Sequence, residues 1–146
     1  MSVNFLLRET LRPLSMRPSD CVKAAVRNMI DFDTGAIAVV DDDMRAVGIF
    51  TKKDLLGKVV AVDRDPKTTH LGDVMSTDIV SASDRLTTDE CLRLMHEYRI
   101  RHLVLVDRAG HYTGLLGLCD LLESRIFELN DSLQSLEGYL NDSQGG

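Results

Sequence analysis

Long apolar runs are missing from this chain. Nowhere does it approach the roughly 20 consecutive apolar residues that span a bilayer, so no membrane association is expected. The opening residues, Met1-Ser-Val-Asn-Phe-Leu-Leu-Arg-Glu9, hold a short apolar run broken by Arg8 and Glu9. That does not fit a secretory signal. Basic clusters are missing too. With 17 Lys and Arg against 23 Asp and Glu, the net charge is −6, and a nucleic-acid footprint needs a concentrated cationic face. Cysteine is scarce: Cys21, Cys91 and Cys119 are odd in number, far apart and never in a Cys-x-x-Cys pair. This excludes a zinc signature and a disulfide framework. The three thiols fall in apolar helical patterns and read as small buried hydrophobes of a cytoplasmic protein. His70, His96 and His111 are scattered and form no metal set. No nucleophile–base pair or acid pair stands at a catalytic spacing. The sequence therefore assigns no catalytic residue, no metal and no required cofactor.

What the chain does have is a repeat. Gly48-Ile-Phe-Thr51-Lys-Lys-Asp54 returns, weakened, as Gly114-Leu-Leu-Gly117-Leu-Cys-Asp120, an offset of 66 residues. Over residues 34–56 and 100–122, six of 23 positions are identical: Val40/Val106, Asp41/Asp107, Gly48/Gly114, Asp54/Asp120, Leu55/Leu121 and Leu56/Leu122. Two copies predict a closed pseudo-symmetric pair rather than a solenoid. They differ at one telling position, where Thr51 becomes Gly117.

Each copy reads helix, strand, strand, helix after a short extended stretch. Val22, Ala25, Val26, Met29 and Ile30 share one helical face, with Ser19 as N-cap after Pro18. Ala36–Val40 and Ala46–Phe50 form a hairpin turning at Asp41-Asp-Asp43. A second helix is expected from about Thr51 to Val62. In the second copy Cys91, Leu94, Met95 and Tyr98 mark the buried face, and Thr87 with Glu90 matches a capping box. His102–Val106 and Tyr112–Leu116 make the second hairpin, and the last helix starts near Leu118. Leu122, Ile126, Leu129, Leu133, Leu136 and Leu140 then follow the alternating spacing of a coiled-coil seam, or of a helix packed back on its own domain. The expected organisation is an N-terminal segment (1–13), a first repeat (14–62), a linker (63–72), a second repeat (73–123), and a C-terminal helix with a frayed tail (124–146).

The first motif carries chemistry. Gly48 lets backbone come close to a ligand. Thr51 opens a helix whose free amides suit a phosphate, and its hydroxyl adds a donor. Asp54 lies one turn on; its carboxylate only accepts, which suits the hydroxyls of a ribose. The same Thr-x-x-Asp is also close to a capping box with no ligand at all. Gly117 has no hydroxyl, so the second copy keeps only Asp120, for a ribose or as a first-turn acid favourable to the helix dipole.

The duplicated units, with Asp73-Val-Met75, Thr88-Asp-Glu-Cys-Leu-Arg-Leu-Met95 and Arg99-Ile-Arg-His-Leu-Val-Leu-Val-Asp107, resemble a CBS-domain pair, or Bateman module, over about Leu14–Glu123. The resemblance implies an α+β fold of two tandem helix–strand–strand–helix repeats with pseudo-two-fold symmetry, plus the C-terminal helix. It implies a regulatory sensor that binds AMP, ADP, ATP or a related adenosyl compound between the repeats and signals to an effector protein. Ligand contacts are then expected at Thr51, Asp54, Gly35, Ala36, Ile37, Arg101, His102 and Asp120. Arg101 and His102 would meet phosphate, and the small Gly35 and Ala36 would leave room for adenine. Such modules pair into four-repeat discs, so a homodimer is expected. Apolar helix faces of Val22–Ile30 and Cys91–Tyr98, left partly covered in a single pair, would supply its contacts. The alternative is a ligand-independent dimerisation scaffold.

Overall fold

The structure, a computed structural model, describes residues 14–144; the N-terminal segment 1–13, Gly145 and Gly146 lie outside the described residues. Strands β1 (Ser15–Met16), β2 (Ala36–Val40) and β3 (Ala46–Thr51) form one three-stranded sheet, and β4 (Ser81–Ser83), β5 (His102–Val106) and β6 (Tyr112–Gly117) form another. In each, the short first strand pairs parallel to the middle strand and the hairpin is antiparallel. The register obeys the sequence offset. Ser15 faces Ala38 and Ser81 faces Val104; Ala36 faces Thr51 and His102 faces Gly117. Even the irregularity repeats, at Val39/Val40 and Leu105/Val106. The fold is α+β with pseudo-two-fold symmetry.

Apart from His102 at the start of β5, the middle strands are apolar because both of their faces are covered. Side chains alternate across a strand, so Ile37 and Val39 enter the core of the first repeat, with Phe50 and Val59. Ala38 and Val40 point the other way and meet Val104 and Tyr112 of the second repeat. Leu103 and Leu105 complete the second core with Cys91, Met95 and Leu121. The Tyr112 backbone amide donates to the Met44 carbonyl (2.8 Å) and its hydroxyl to the Leu14 carbonyl (3.1 Å). The two repeats are thus stitched by one apolar seam and a few hydrogen bonds.

Helix α1 (Val22–Asp31) starts later than its sequence suggests. Its N-cap is Cys21, not Ser19, and no side chain caps it. Linker carbonyls do that work: Val22 N donates to Thr69 O and Lys23 N to Pro66 O, each at 2.9 Å. The orphan amides of a first turn are satisfied either way. Helix α2 (Lys52–Asp54) is a single turn that widens into a π-helical stretch, Leu55–Val60. The expected regular helix to Val62 is therefore corrected: Ala61 N reaches five residues back, to Leu56 O. The linker carries a short helix, α3 (Leu71–Val74). In α4 (Thr88–Tyr98) the Thr87 hydroxyl accepts from Glu90 N at 3.2 Å.

Helix α5 (Leu118–Gln144) is continuous. Leu121 is buried against the second repeat, but Ile126, Leu129, Leu133 and Leu136 are each more than half exposed. The seam does not pack back on its own domain; the side chain of Leu140 lies outside the described residues. The apolar faces of α1 and α4 are partly covered, as expected: Val22, Ala25, Met29, Cys91 and Met95 are buried within the chain, while Ile30 and Tyr98, with Phe32 just beyond α1, are exposed. No helix among the described residues is long and apolar enough to cross a membrane.

Candidate functional site

The end of β3 and the start of α2 hold the first motif. Thr51 leaves the strand in extended conformation and becomes the N-cap of α2. Its hydroxyl accepts from Asp54 N at 3.2 Å, while Thr51 N donates to Asp54 Oδ2 at 3.0 Å. The capping-box geometry is thus formed, with Asp in place of the usual Glu or Gln. The Thr51 hydroxyl also lies 3.1 Å from Asp54 Oδ2. The other oxygen, Oδ1, takes the Ser76 hydroxyl at 2.9 Å and the Lys58 ammonium at 3.0 Å. Asp54 is only 5% exposed. Burial pushes its carboxyl up, but hydrogen bonds from Lys58, Ser76 and the Thr51 backbone hold it below the usual carboxylate range.

That depression has a sign. A carboxylate whose folded-state pKa lies below its unfolded value adds stability above about pH 3.9, and this stability is lost as pH falls through the folded value. Asp54→Asn should therefore melt lower than the parent at pH 7 and converge with it towards pH 2. A melting-temperature difference independent of pH would show that the charge of Asp54 contributes nothing.

Gly48 serves packing rather than ligand approach, a correction to its expected role. A Cβ there would stand 2.6 Å from Met75 Sδ and 3.0 Å from Ser76 O. The segment after α3 bridges to this edge, with Ile49 N donating to Ser76 O at 2.9 Å and Ser76 N to Ile49 O at 2.8 Å. Gly48 thereby seats the segment that carries Ser76 to Asp54.

A cleft of about 140 Å3 opens between the repeats, lined by Ile49, Thr51, Asp78, Ile79, Val80, Ile100, Arg101, His102 and Val104. Thr51 comes from the first repeat; Arg101 and His102 come from the second. The walls are aliphatic and the polar groups few. Burial holds the His102 imidazole below its ordinary value, with Asp120 pulling it up and Arg101 pushing it down. Asp120 accepts from Gly117 N at 3.3 Å, a looser counterpart of the Thr51–Asp54 bond.

Gly35, Ala36 and Ile37 are not part of this cleft. The space beside Gly35 is taken by Lys52, whose Cε would lie 3.4 Å from an added Cβ. Ala36 is 2% exposed and Ile37 is fully buried in the first core. By the 66-residue offset, Gly35 and Ala36 correspond to Arg101 and His102, and Gly117 to Thr51. By the same offset they would border a pseudo-symmetric counterpart of this cleft. The two halves are chemically unequal: one pairs a hydroxyl with two basic side chains, the other has glycines and an alanine there.

Sequence reasoning missed Ile49, Asp78, Ile79, Val80, Ile100 and Val104 as lining residues, and Lys58 and Ser76 as partners of Asp54. Two signals were present. Ile49 and Thr51, like His102 and Val104, are two apart on a strand and share a face. Lys58 stands four residues beyond Asp54, the spacing of helical ion pairs. Nothing local announces Ser76, which arrives from the start of the second repeat. Among the described residues no three His, Cys, Asp or Glu side chains group as metal ligands.

Comparison with known proteins fits this architecture. The mitochondrial CBS domain-containing protein CBSX3 of Arabidopsis thaliana is 29% identical over 131 residues, 87% of this chain and 62% of that protein. An inosine-5'-monophosphate dehydrogenase of Methanocaldococcus jannaschii is 32% identical over 112 residues, 77% of this chain but only 21% of that enzyme. The chain thus spans less than two thirds of either relative. A protein with CBS domains from Burkholderia ambifaria superposes with a TM-score of 0.75 at 32% identity, covering 86% of this chain and 94% of that one. A CBS domain protein from Pyrobaculum aerophilum, complexed with AMP, has the same fold at a TM-score of 0.71 and 20% identity, covering 82% and 89%. The family model for the CBS domain matches twice, at residues 10–61 and 71–126. The chain belongs to the CBS-domain family, as a tandem pair of its repeats.

Proposed function

We propose that the chain is a regulatory module that senses an adenine nucleotide, AMP, ADP, ATP or a related adenosyl compound, in the cleft between its repeats. The observation that carries this reading is the convergence of Thr51 with Arg101 and His102 across the two repeats, beside five aliphatic walls. Arg101 and His102 face phosphate at the Thr51 edge of the cleft, the Thr51 hydroxyl proton being given to Asp54; Ile49, Ile79, Val80, Ile100 and Val104 enclose the base; Asp54 takes the ribose. Asp120, behind His102, is the weaker second acid. At about 140 Å3 the cleft is smaller than the ~300–1,000 Å3 of typical ligand pockets, so binding must open it. That opening is the signal an effector protein would read. The AMP complex of the Pyrobaculum aerophilum protein is a likeness of fold; the ligand assignment rests on this chain's own side chains. The module acts without catalysis of its own, and its three unpaired cysteines suit a reducing compartment such as the cytoplasm.

Assembly is part of the reading. The exposed apolar residues repeat with the chain: Phe32 and Tyr98, Leu56 and Leu122, Val60 and Ile126 are pairs 66 apart, each 45–62% exposed. A patch duplicated by pseudo-symmetry is suited to a two-fold partner. A homodimer covers both halves at once, and the stripe Leu129, Leu133 and Leu136 extends the contact.

The scaffold reading has one observation in its favour, the complete hydrogen bonding of Asp54 by groups of the chain itself. A thermal-shift comparison separates the two. A ligand at 100 times its dissociation constant stabilises by about 2.7 kcal/mol. AMP should raise the melting temperature, and Arg101→Ala should weaken AMP roughly tenfold while leaving adenosine nearly unchanged. That loss should shrink as salt rises, because Arg101 is exposed. Equal losses for AMP and adenosine would remove Arg101 from the phosphate; no shift with any adenosyl compound would leave the scaffold.

A further inference from the structure

Asp54, the acid assigned to ribose, has no acceptor position to spare. A carboxylate offers about four lone-pair sites. Here Oδ2 faces the Thr51 amide and hydroxyl at 3.0 and 3.1 Å, and Oδ1 takes Ser76 Oγ at 2.9 Å and Lys58 Nζ at 3.0 Å. A ribose hydroxyl can reach this carboxylate only by displacing one of the four. The Thr51 amide is fixed by the capping box. The Thr51 hydroxyl is held on its other side by Asp54 N. Ser76 is anchored by its paired backbone bonds to Ile49. Lys58 differs: its side chain is 47% exposed, it hangs from the π-helical stretch, and water can solvate the released ammonium.

We infer that Lys58 is a displaceable latch on Asp54 and a determinant of ligand specificity: it closes the carboxylate until a ligand with ribose hydroxyls lifts it. The inference rests on the nucleotide reading above. It explains how so buried a group can serve a ligand at all. The latch is selective in chemistry, because only a donor that replaces the ammonium on Oδ1 makes good the lost bond. A ligand without those hydroxyls leaves Lys58 in place. On release, Lys58 Nζ, already 3.4 Å from Ser76 Oγ, swings to the solvent side of Ser76. Ribose binding and contacts with the start of the second repeat are thereby joined at one side chain.

The test is calorimetric titration of the full chain, its Lys58→Met variant and its Lys58→Arg variant with AMP and with 2′,3′-dideoxy-AMP. Both ligands carry the phosphate, so loss of a nearby cation affects them alike, and the AMP-to-dideoxy ratio isolates the hydroxyls. Lys58→Met should raise that ratio about fivefold, the scale of a half-exposed ion pair, and Lys58→Arg should leave it near the parent value. A ratio unchanged or lowered in Lys58→Met, with AMP still binding to the parent, overturns the latch and leaves the nucleotide reading standing. Binding of AMP to neither protein overturns both. Lys58→Gln, of similar reach and neutral, repeats the measurement should the methionine variant fold poorly.

Discussion

Asp54→Ala should weaken AMP binding ten- to hundredfold, and Asp120→Ala should weaken it far less. A charge-assisted hydrogen bond from a ribose hydroxyl to a buried carboxylate contributes about 1.5–3 kcal/mol, which sets that range. The opposing effect is the loss of the Lys58 contact on binding, no more than about 1 kcal/mol for a half-exposed pair. The ribose bond wins. Asp120 starts from a poorer position. Its neighbour Gly117 supplies an amide at 3.3 Å and no hydroxyl, and the basic group beside it is a histidine whose pKa burial lowers. Removing Asp54 also breaks the capping box, so Asp54→Ala should lose about 1 kcal/mol of stability. Affinity must then be measured well below the variant's melting temperature. Equal losses in the two variants, or a larger loss in Asp120→Ala, would mean that the second repeat holds the ribose.

Glutamate at both Val60 and Ile126 should turn a dimer into monomers. The two positions are equivalent by the 66-residue offset and are 57% and 58% exposed in the single chain. Four carboxylates would then be buried per dimer, without partners. Loss of one hot-spot anchor costs about 2 kcal/mol or more, roughly thirtyfold, so with both positions charged in each copy the dissociation constant should rise at least a hundredfold. In the isolated chain neither side chain packs in a core, so helical content and melting at low concentration should hardly change. Light scattering at micromolar concentration reads the outcome. A parent chain that is monomeric at that concentration, or a double variant that stays dimeric, would remove this face from the assembly.

Much of the fold was legible because the two copies constrain each other. Ala36–Val40 alone is a five-residue apolar run that suits a strand or a buried helix segment. Its counterpart His102–Val106, at the same distance before the same Gly-containing strand, decides for a hairpin. The joint behaviour of Thr51 and Asp54 as cap and acid was also legible. What was hidden came from contacts between segments distant in sequence. Cys21 replaces Ser19 as N-cap because the linker carbonyls of Pro66 and Thr69 come to the helix. Gly48 reads as a ligand approach until Met75 is seen against it. Gly35 reads as open room until Lys52 is seen lying across it. The exposed stripe of Phe32, Leu56 and Val60 could have been located by extending the offset to every apolar residue outside the buried helical faces.

Titration of the parent chain with AMP in a calorimeter tests the central claim most directly. The unequal halves predict saturation at one AMP per chain, with Thr51 and Arg101 on the occupied side. Binding should also take up a fraction of a proton near pH 7, because the phosphate raises the depressed pKa of His102; His102→Gln should abolish that uptake. No heat with AMP at millimolar concentration, or two equal sites per chain, would contradict the account.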